Sequence, residues 1–207
     1  MAERRTLEFD PIAEARRQWK RRRWPAPTWM AAATSIMRAQ QLVLREVDDA
    51  LRPFGLTFAR YESLVLLYFS RSQALPLGKM GDRLMVHPAS VTNAIDRLEQ
   101  DGLVRRVRHD EDKRMVLAEL TDEGRRVVEA ATEAVGKTRF GLSEMSSGEA
   151  DQLTELVGLL RKRVGDFAEG PVPATLATTA TPAGSSAEEA RKTSRRRPRG
   201  TLTTEDV

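Results

Sequence analysis

Between Leu77 and Leu120 the order of helix-stopping and helix-starting residues leaves few folds open. The first segment, Gly78 to Met85, reads as a short helix. It ends in the turn Val86-His87-Pro88, where proline suits the first position of a new helix because that position needs no amide hydrogen. The new helix is then Pro88 to Asp101. At 3.6 residues per turn, Val91, Ala94, Ile95 and Leu98 fall on one face, and Ala89, Ser90, Asn93 and Arg97 on the opposite one. Gly102 stands where a helix C-cap takes a left-handed residue, and a strand starts at Leu103-Val104. Its partner is Met115 to Leu120, across a turn from Asp110 to Arg114 made almost wholly of charges. Helix, turn, helix and two-stranded hairpin in this order predict a winged helix-turn-helix. The fold class expected is mainly α with a small β-hairpin wing (α+β).

Such a unit fits double-stranded DNA, because the major groove admits one helix whose N-terminal side chains reach base edges. Small residues near Pro88 permit close approach. Ser90, Thr92 and Asn93 can hydrogen-bond to bases or phosphates, and Arg97 can reach a guanine or the backbone. At the hairpin tip, Lys113 and Arg114 beside Asp112 suit the minor groove, whose negative potential favours arginine. Taken singly, each residue also fits a solvated helix face or a surface pair between Asp112 and Arg114. Their order along the chain is what points to DNA.

Composition narrows the alternatives. The chain of 207 residues has no cysteine, which removes disulfides, thiol redox sensing and cysteine nucleophiles together. Its two histidines, His87 and His109, lack neighbours at metal-ligand spacing, and no cofactor is implied. No apolar run approaches the roughly 18 residues that span a bilayer, and the N-terminus is too charged for a secretory signal, so no membrane partner and a cytoplasmic location are expected. The net charge of +4 is unevenly spread. Residues 1–23 carry eight Lys/Arg against four Asp/Glu, residues 24–167 carry 20 against 21, and residues 168–207 carry six against five. Affinity for DNA must then depend on where the arginines sit rather than on bulk attraction.

Three regions follow. Residues 1–26 form an extension in which Ile12, Ala15 and Trp19 mark an amphipathic helix from Pro11 to Arg23. Residues 27–167 form the main domain, with long helices at about 28–52 and 147–167 and a DNA-binding lobe at about 55–121. In the first long helix Met30, Ala33, Met37, Gln40, Leu44, Val47 and Leu51 alternate steps of three and four, and Trp29, Ile36, Val43 and Ala50 add a second stripe. In the last, Ala150, Leu153, Val157, Leu160, Val164 and Phe167 do the same. Two matching seams predict a homodimer interface, or else an intramolecular helix pair. Between them, Thr57 is expected to cap a helix whose buried face is Tyr61, Leu64, Val65, Leu67, Tyr68 and Phe69. Thr121 should cap another with Val127, Val128, Ala131 and Val135 inward, and Ser146 with Glu149 forms a capping box. Residues 168–207, rich in Pro, Ala, Thr and Gly before Arg195-Arg196-Arg197-Pro198-Arg199, read as a disordered basic tail.

These residues resemble the MarR family of winged-helix transcriptional regulators, bacterial dimers that bind palindromic operators. The resemblance runs from about Ala31 to Phe167. It rests on Gly55-Leu56-Thr57, on Ser90-Val91-Thr92 through Asp96-Arg97-Leu98-Glu99, on Gly102-Leu103-Val104-Arg105-Arg106, and on Asp112-Lys113-Arg114 followed by Leu120-Thr121-Asp122-Glu123-Gly124. It implies that Arg114 enters the minor groove with Asp112 holding it. The extension is similar to the added helix of the family's urate-responsive branch, which implies a site for a small organic anion at Trp19, Glu62 and Arg106. Ala94 stands where that branch has a further arginine, which removes a cationic partner and argues against urate itself.

The reading is therefore a sequence-specific regulator, a repressor that binds its operator as a homodimer and is released by a ligand. Its alternative is an architectural DNA binder without an inducer. An enzyme is disfavoured because no G-x-G-x-x-G, P-loop, nucleophile elbow or zinc motif accompanies the winged helix.

Overall fold

The computed structural model describes residues 7–109, 115–168 and 170. Its elements are α1 (Pro11–Arg21), α2 (Pro27–Leu51), a 3-10 turn (Arg52–Phe54), α3 (Phe58–Phe69), β1 (Ala74–Pro76), α4 (Leu77–Leu84), α5 (Pro88–Gln100), β2 (Val104–Arg108), β3 (Val116–Leu120), α6 (Asp122–Lys137), a second 3-10 turn (Arg139–Gly141) and α7 (Ser147–Arg163). The mainly helical fold with its small β-wing is as expected. The tail beyond Gly170 and the hairpin tip from Asp110 to Arg114, hence Asp112, Lys113 and Arg114, lie outside the described residues.

Three local expectations need correction. The hairpin is part of a three-stranded antiparallel sheet in the order β1-β3-β2, with Leu75 opposite Ala118 and Arg105 opposite Glu119. Three residues are too few to show a period of two, and Pro76 fits because β1 is an edge strand. Thr57 occupies the N-cap of α3 but its side chain makes no cap bond. The acceptor is the Asp48 carboxylate, reached by the Phe58 amide at 2.8 Å from ten residues downstream. Phe69 is exposed. It lies two residues, about 200°, beyond Leu67, whereas the buried arc steps through Tyr61, Leu64 and Leu67.

One core unites the lobe. Leu51 from α2, Leu64 and Leu67 from α3, Met80 from α4, Ile95 and Leu98 from α5, Ala118 from β3 and Val128, Ala131 and Val135 from α6 are all buried in it. The base of the wing is locked to α6 by Thr121. Its hydroxyl accepts from the Gly124 amide at 2.9 Å, and its own amide donates to the Leu103 carbonyl at 3.1 Å.

The extension folds back onto α2. Left-handed backbone at Arg23 and Ala26 reverses the chain. The Trp19 indole N–H then donates to the Pro25 carbonyl at 3.1 Å, while its ring meets Trp24 edge-on at 4.6 Å. At the other end, α7 starts with the expected capping box but buries none of its residues. The N-terminal half of α2 is as bare: Trp29 is 74% and Met37 64% exposed. Among the described residues, no helix is long and apolar enough to cross a membrane.

Candidate nucleic-acid interface

The approach to α5 is set by two backbone devices. Met85 turns left-handed and ends α4, and the Val86 amide returns to the Gly81 carbonyl at 3.2 Å. His87 is extended at the N-cap of α5, its Nδ1 accepting from the Ala89 amide at 3.2 Å, and Pro88 takes the first helical position. Val91, Ile95 and Leu98 then anchor α5 in the core, which turns Pro88, Ser90, Thr92, Asn93 and Arg97 to solvent. Ser90, Asn93 and Arg97 share the side of the helix opposite the core, with Pro88 and Thr92 exposed on its flank. Thr92 donates its hydroxyl to the Pro88 carbonyl at 3.1 Å, leaving its lone pairs as acceptors.

Gln100 belongs to this face, although the sequence reading above leaves it out. It accepts from Arg97 Nη1 at 3.3 Å, and it lines a shallow concavity with Asn93, Asp96 and Arg97. The signal was available: Gln100 is seven residues beyond Asn93 and three beyond Arg97, on the same stripe.

The wing extends beside this helix. Strand pairing runs from Val104 opposite Leu120 to Arg108 opposite Val116, and the His109 amide bonds the Met115 carbonyl at 3.0 Å, so the ladder reaches the base of the tip. Arg105 and Glu119 cross it as a two-pronged pair at 3.0 and 2.8 Å, which holds the Glu119 carboxyl below the usual carboxylate range. Arg106 turns the other way. Its Nη2 lies 2.5 Å from Asp96 Oδ1, its Nη1 bonds Glu99, and its backbone amide donates to Glu99 Oε1 at 3.0 Å. Desolvation opposes the charge on Arg106, but the bonds from Asp96 and Glu99 outweigh it and keep the guanidinium firmly protonated.

The three residues implied for an anion site are placed apart in bonding terms. Trp19 bonds within the extension, Arg106 bonds α5, and Glu62 sits half-buried on α3. No hydrogen bond or ion pair among the described residues joins them. Partial burial pushes the Glu62 carboxyl above its ordinary range. A raised folded-state value means that Glu62 adds stability below its unfolded pKa and loses that contribution as pH rises through the folded one. Glu62→Gln should therefore melt above the parent at about pH 7 and by a smaller margin at about pH 4. Thermal melts at both values check this, and a margin that grows toward acid would contradict it.

Known proteins share this arrangement. The MarR family model matches residues 56–116. The transcriptional regulator PecS of Dickeya dadantii is 30% identical over 166 residues, covering 77% of this chain and 96% of PecS. The crystal structure of Sco5413, a MarR family transcriptional regulator from Streptomyces coelicolor, is 52% identical, with a TM-score of 0.63 over 68% of this chain and 97% of that one. Sco3205 from the same organism, a MarR family regulator solved in complex with DNA, is 25% identical with a TM-score of 0.59 over 68% of this chain and 94% of its own. The exposed polar face of α5, the wing beside it and these likenesses lead to one assignment: the chain belongs to the MarR family of DNA-binding transcriptional regulators.

Proposed function

We propose that this protein is a homodimeric repressor that holds a palindromic operator and is released by a small organic anion. In this reading Pro88, Ser90, Thr92, Asn93, Arg97 and Gln100 of each copy enter one major groove, and Lys113 and Arg114, steadied by Asp112, follow the adjacent minor groove. The observation that carries the dimer is α7. A helix of 17 residues that buries none of them on its own chain presents Leu153, Leu156 and Leu160 to water, its C-cap Val164 is exposed as well, and α2 offers a matching bare stripe. Two copies exchanging these faces would cover both. Two-fold symmetry then requires a two-fold site.

The chain has no cysteine, so thiol oxidation cannot drive release, and the proposed trigger is a bound molecule. Trp19, Glu62 and Arg106 remain the residues proposed for it, on the resemblance of the extension.

Selection from a random duplex library followed by footprinting tests the reading. The bound sites should share a pseudo-palindrome with half-sites about 10 base pairs, roughly 34 Å, apart. Asn93→Ala and Arg97→Ala should each weaken binding by about 1–3 kcal/mol and relax preference at particular base pairs. Lys113→Ala should weaken all sequences alike and flatten the salt dependence by about one unit. Arg114→Ala should be severe. Uniform protection without dyad symmetry would favour an architectural DNA binder instead. Small carboxylates titrated into the complex test release, and a response intact in Trp19→Ala would remove the extension from the ligand site.

A further inference from the structure

Among the described residues, the ion pairs of Arg17 with Glu14, Arg52 with Asp49, Arg126 with Glu123 and Lys137 with Glu133 each lie within about one turn of chain and fix no relation between elements. Arg60 with Asp101 and Arg105 with Glu119 do join elements, but each of these arginines engages a single carboxylate. Arg106 differs. From β2 it engages two carboxylates of α5 at once, and its side chain is only 27% exposed. Asp96 and Glu99 are three residues apart, the spacing that puts both on one flank of the helix. The backbone amide of Arg106 adds a bond to the same Glu99, at 3.0 Å, so main chain and side chain both tie the strand to the helix. Asp96 in turn lines the concavity it shares with Asn93 and Arg97.

Two groove contacts made by different elements require those elements at a fixed angle. The core sets the root of α5, whereas the wing projects from the lobe on two strands. We propose that Arg106 is a positioning residue for DNA recognition, latching the wing strand to the flank of the recognition helix through Asp96 and Glu99 without touching DNA. The inference rests on the proposed use of helix and wing together on one site. It also gives Asp96 a role that fits its position, since an unpaired carboxylate beside Arg97 would repel phosphate.

The test compares four full-length variants on a selected palindromic duplex and on an unrelated duplex of equal length, reading the ratio of the two affinities. Arg106→Gln removes the latch from one side. Asp96→Asn with Glu99→Gln removes it from the other, with near-isosteric changes at half-exposed positions that spare the core. Simple electrostatics predict that deleting two negative charges near DNA strengthens binding. The latch predicts the opposite for discrimination: both variants should lose about tenfold in the ratio, as coupled neighbours do, and the triple variant should lose no more than either. Arg106→Lys should recover only part, because a lysine cannot fork between two carboxylates. Melting temperatures serve as the control and should fall far less than discrimination does. If the carboxamide pair keeps its ratio while Arg106→Gln loses it, Arg106 touches DNA directly and the proposal is overturned. Unchanged ratios in both would also overturn it. A parent chain with no preference for the palindrome would instead reject the operator reading itself, with the latch then left without a role.

Discussion

Gly124→Ala should lower the melting temperature by roughly 10 °C or more, the cost of a single added methyl. A Cβ at this position would lie 2.0 Å from the Leu103 carbonyl oxygen, 2.8 Å from Leu120 Cδ1 and 3.0 Å from the Leu103 carbonyl carbon. Two of these are main-chain atoms at the root of the wing, which cannot rotate aside. Overpacking of this kind typically costs about 1–3 kcal/mol and occasionally more. Here the forced shift also strains the bond from the Thr121 amide to Leu103 and the Thr121 cap on Gly124, adding about 1 kcal/mol. Gly102 provides the internal comparison. Its φ of +72° calls for a left-handed residue, but a Cβ there meets nothing within 4 Å, so Gly102→Asn should be mild. Differential scanning calorimetry of both variants decides the matter. A Gly124→Ala protein melting within about 2 °C of the parent would show that α6 does not approach Leu103 so closely.

Leu156→Asp combined with Leu160→Asp should abolish dimerisation and, with it, operator binding. Leu156 is 68% exposed on the single chain and belongs to a helix that buries nothing, so the substitutions leave the monomer's core untouched. In a two-fold dimer each change occurs twice. Four leucines withdrawn from an interface, at about 1.5 kcal/mol or more each, amount to a rise in dimer dissociation constant well beyond a thousandfold, before any charge is buried. Sedimentation equilibrium reads the oligomeric state and circular dichroism the retained helix. A variant that stays dimeric with unchanged affinity for DNA would remove α7 from the interface and take the main support from the proposed assembly.

The helix-turn-helix was legible because its signals are local. Pro88, the period of Val91, Ile95 and Leu98, and Gly102 act within a few residues of where they stand, so the chain itself dictates where α5 begins, which face it buries and which face it offers. The cap at Ser146 and Glu149 and the N-cap at Thr121 are of the same kind. Gln100 could have been read by the same periodicity.

What tertiary structure alone decided is where residues distant along the chain meet. Asp48 displaces Thr57 as the cap of α3 because the turn after α2 brings a carboxylate onto the Phe58 amide, and no window of sequence contains that geometry. β1 becomes a strand only because β3 is there to pair with it. Gly124 stands in a recognisable motif, yet its necessity comes from the Leu103 carbonyl approaching from the other side of the wing. For Arg106 the resemblance implies an anion site, whereas its ion pairs with Asp96 and Glu99 come from the fold and are invisible in the sequence. Propensity and periodicity are properties of a segment and survive in isolation, whereas a cap, an edge strand, a steric limit or an ion pair between elements comes into being only when the core has fixed both partners in space.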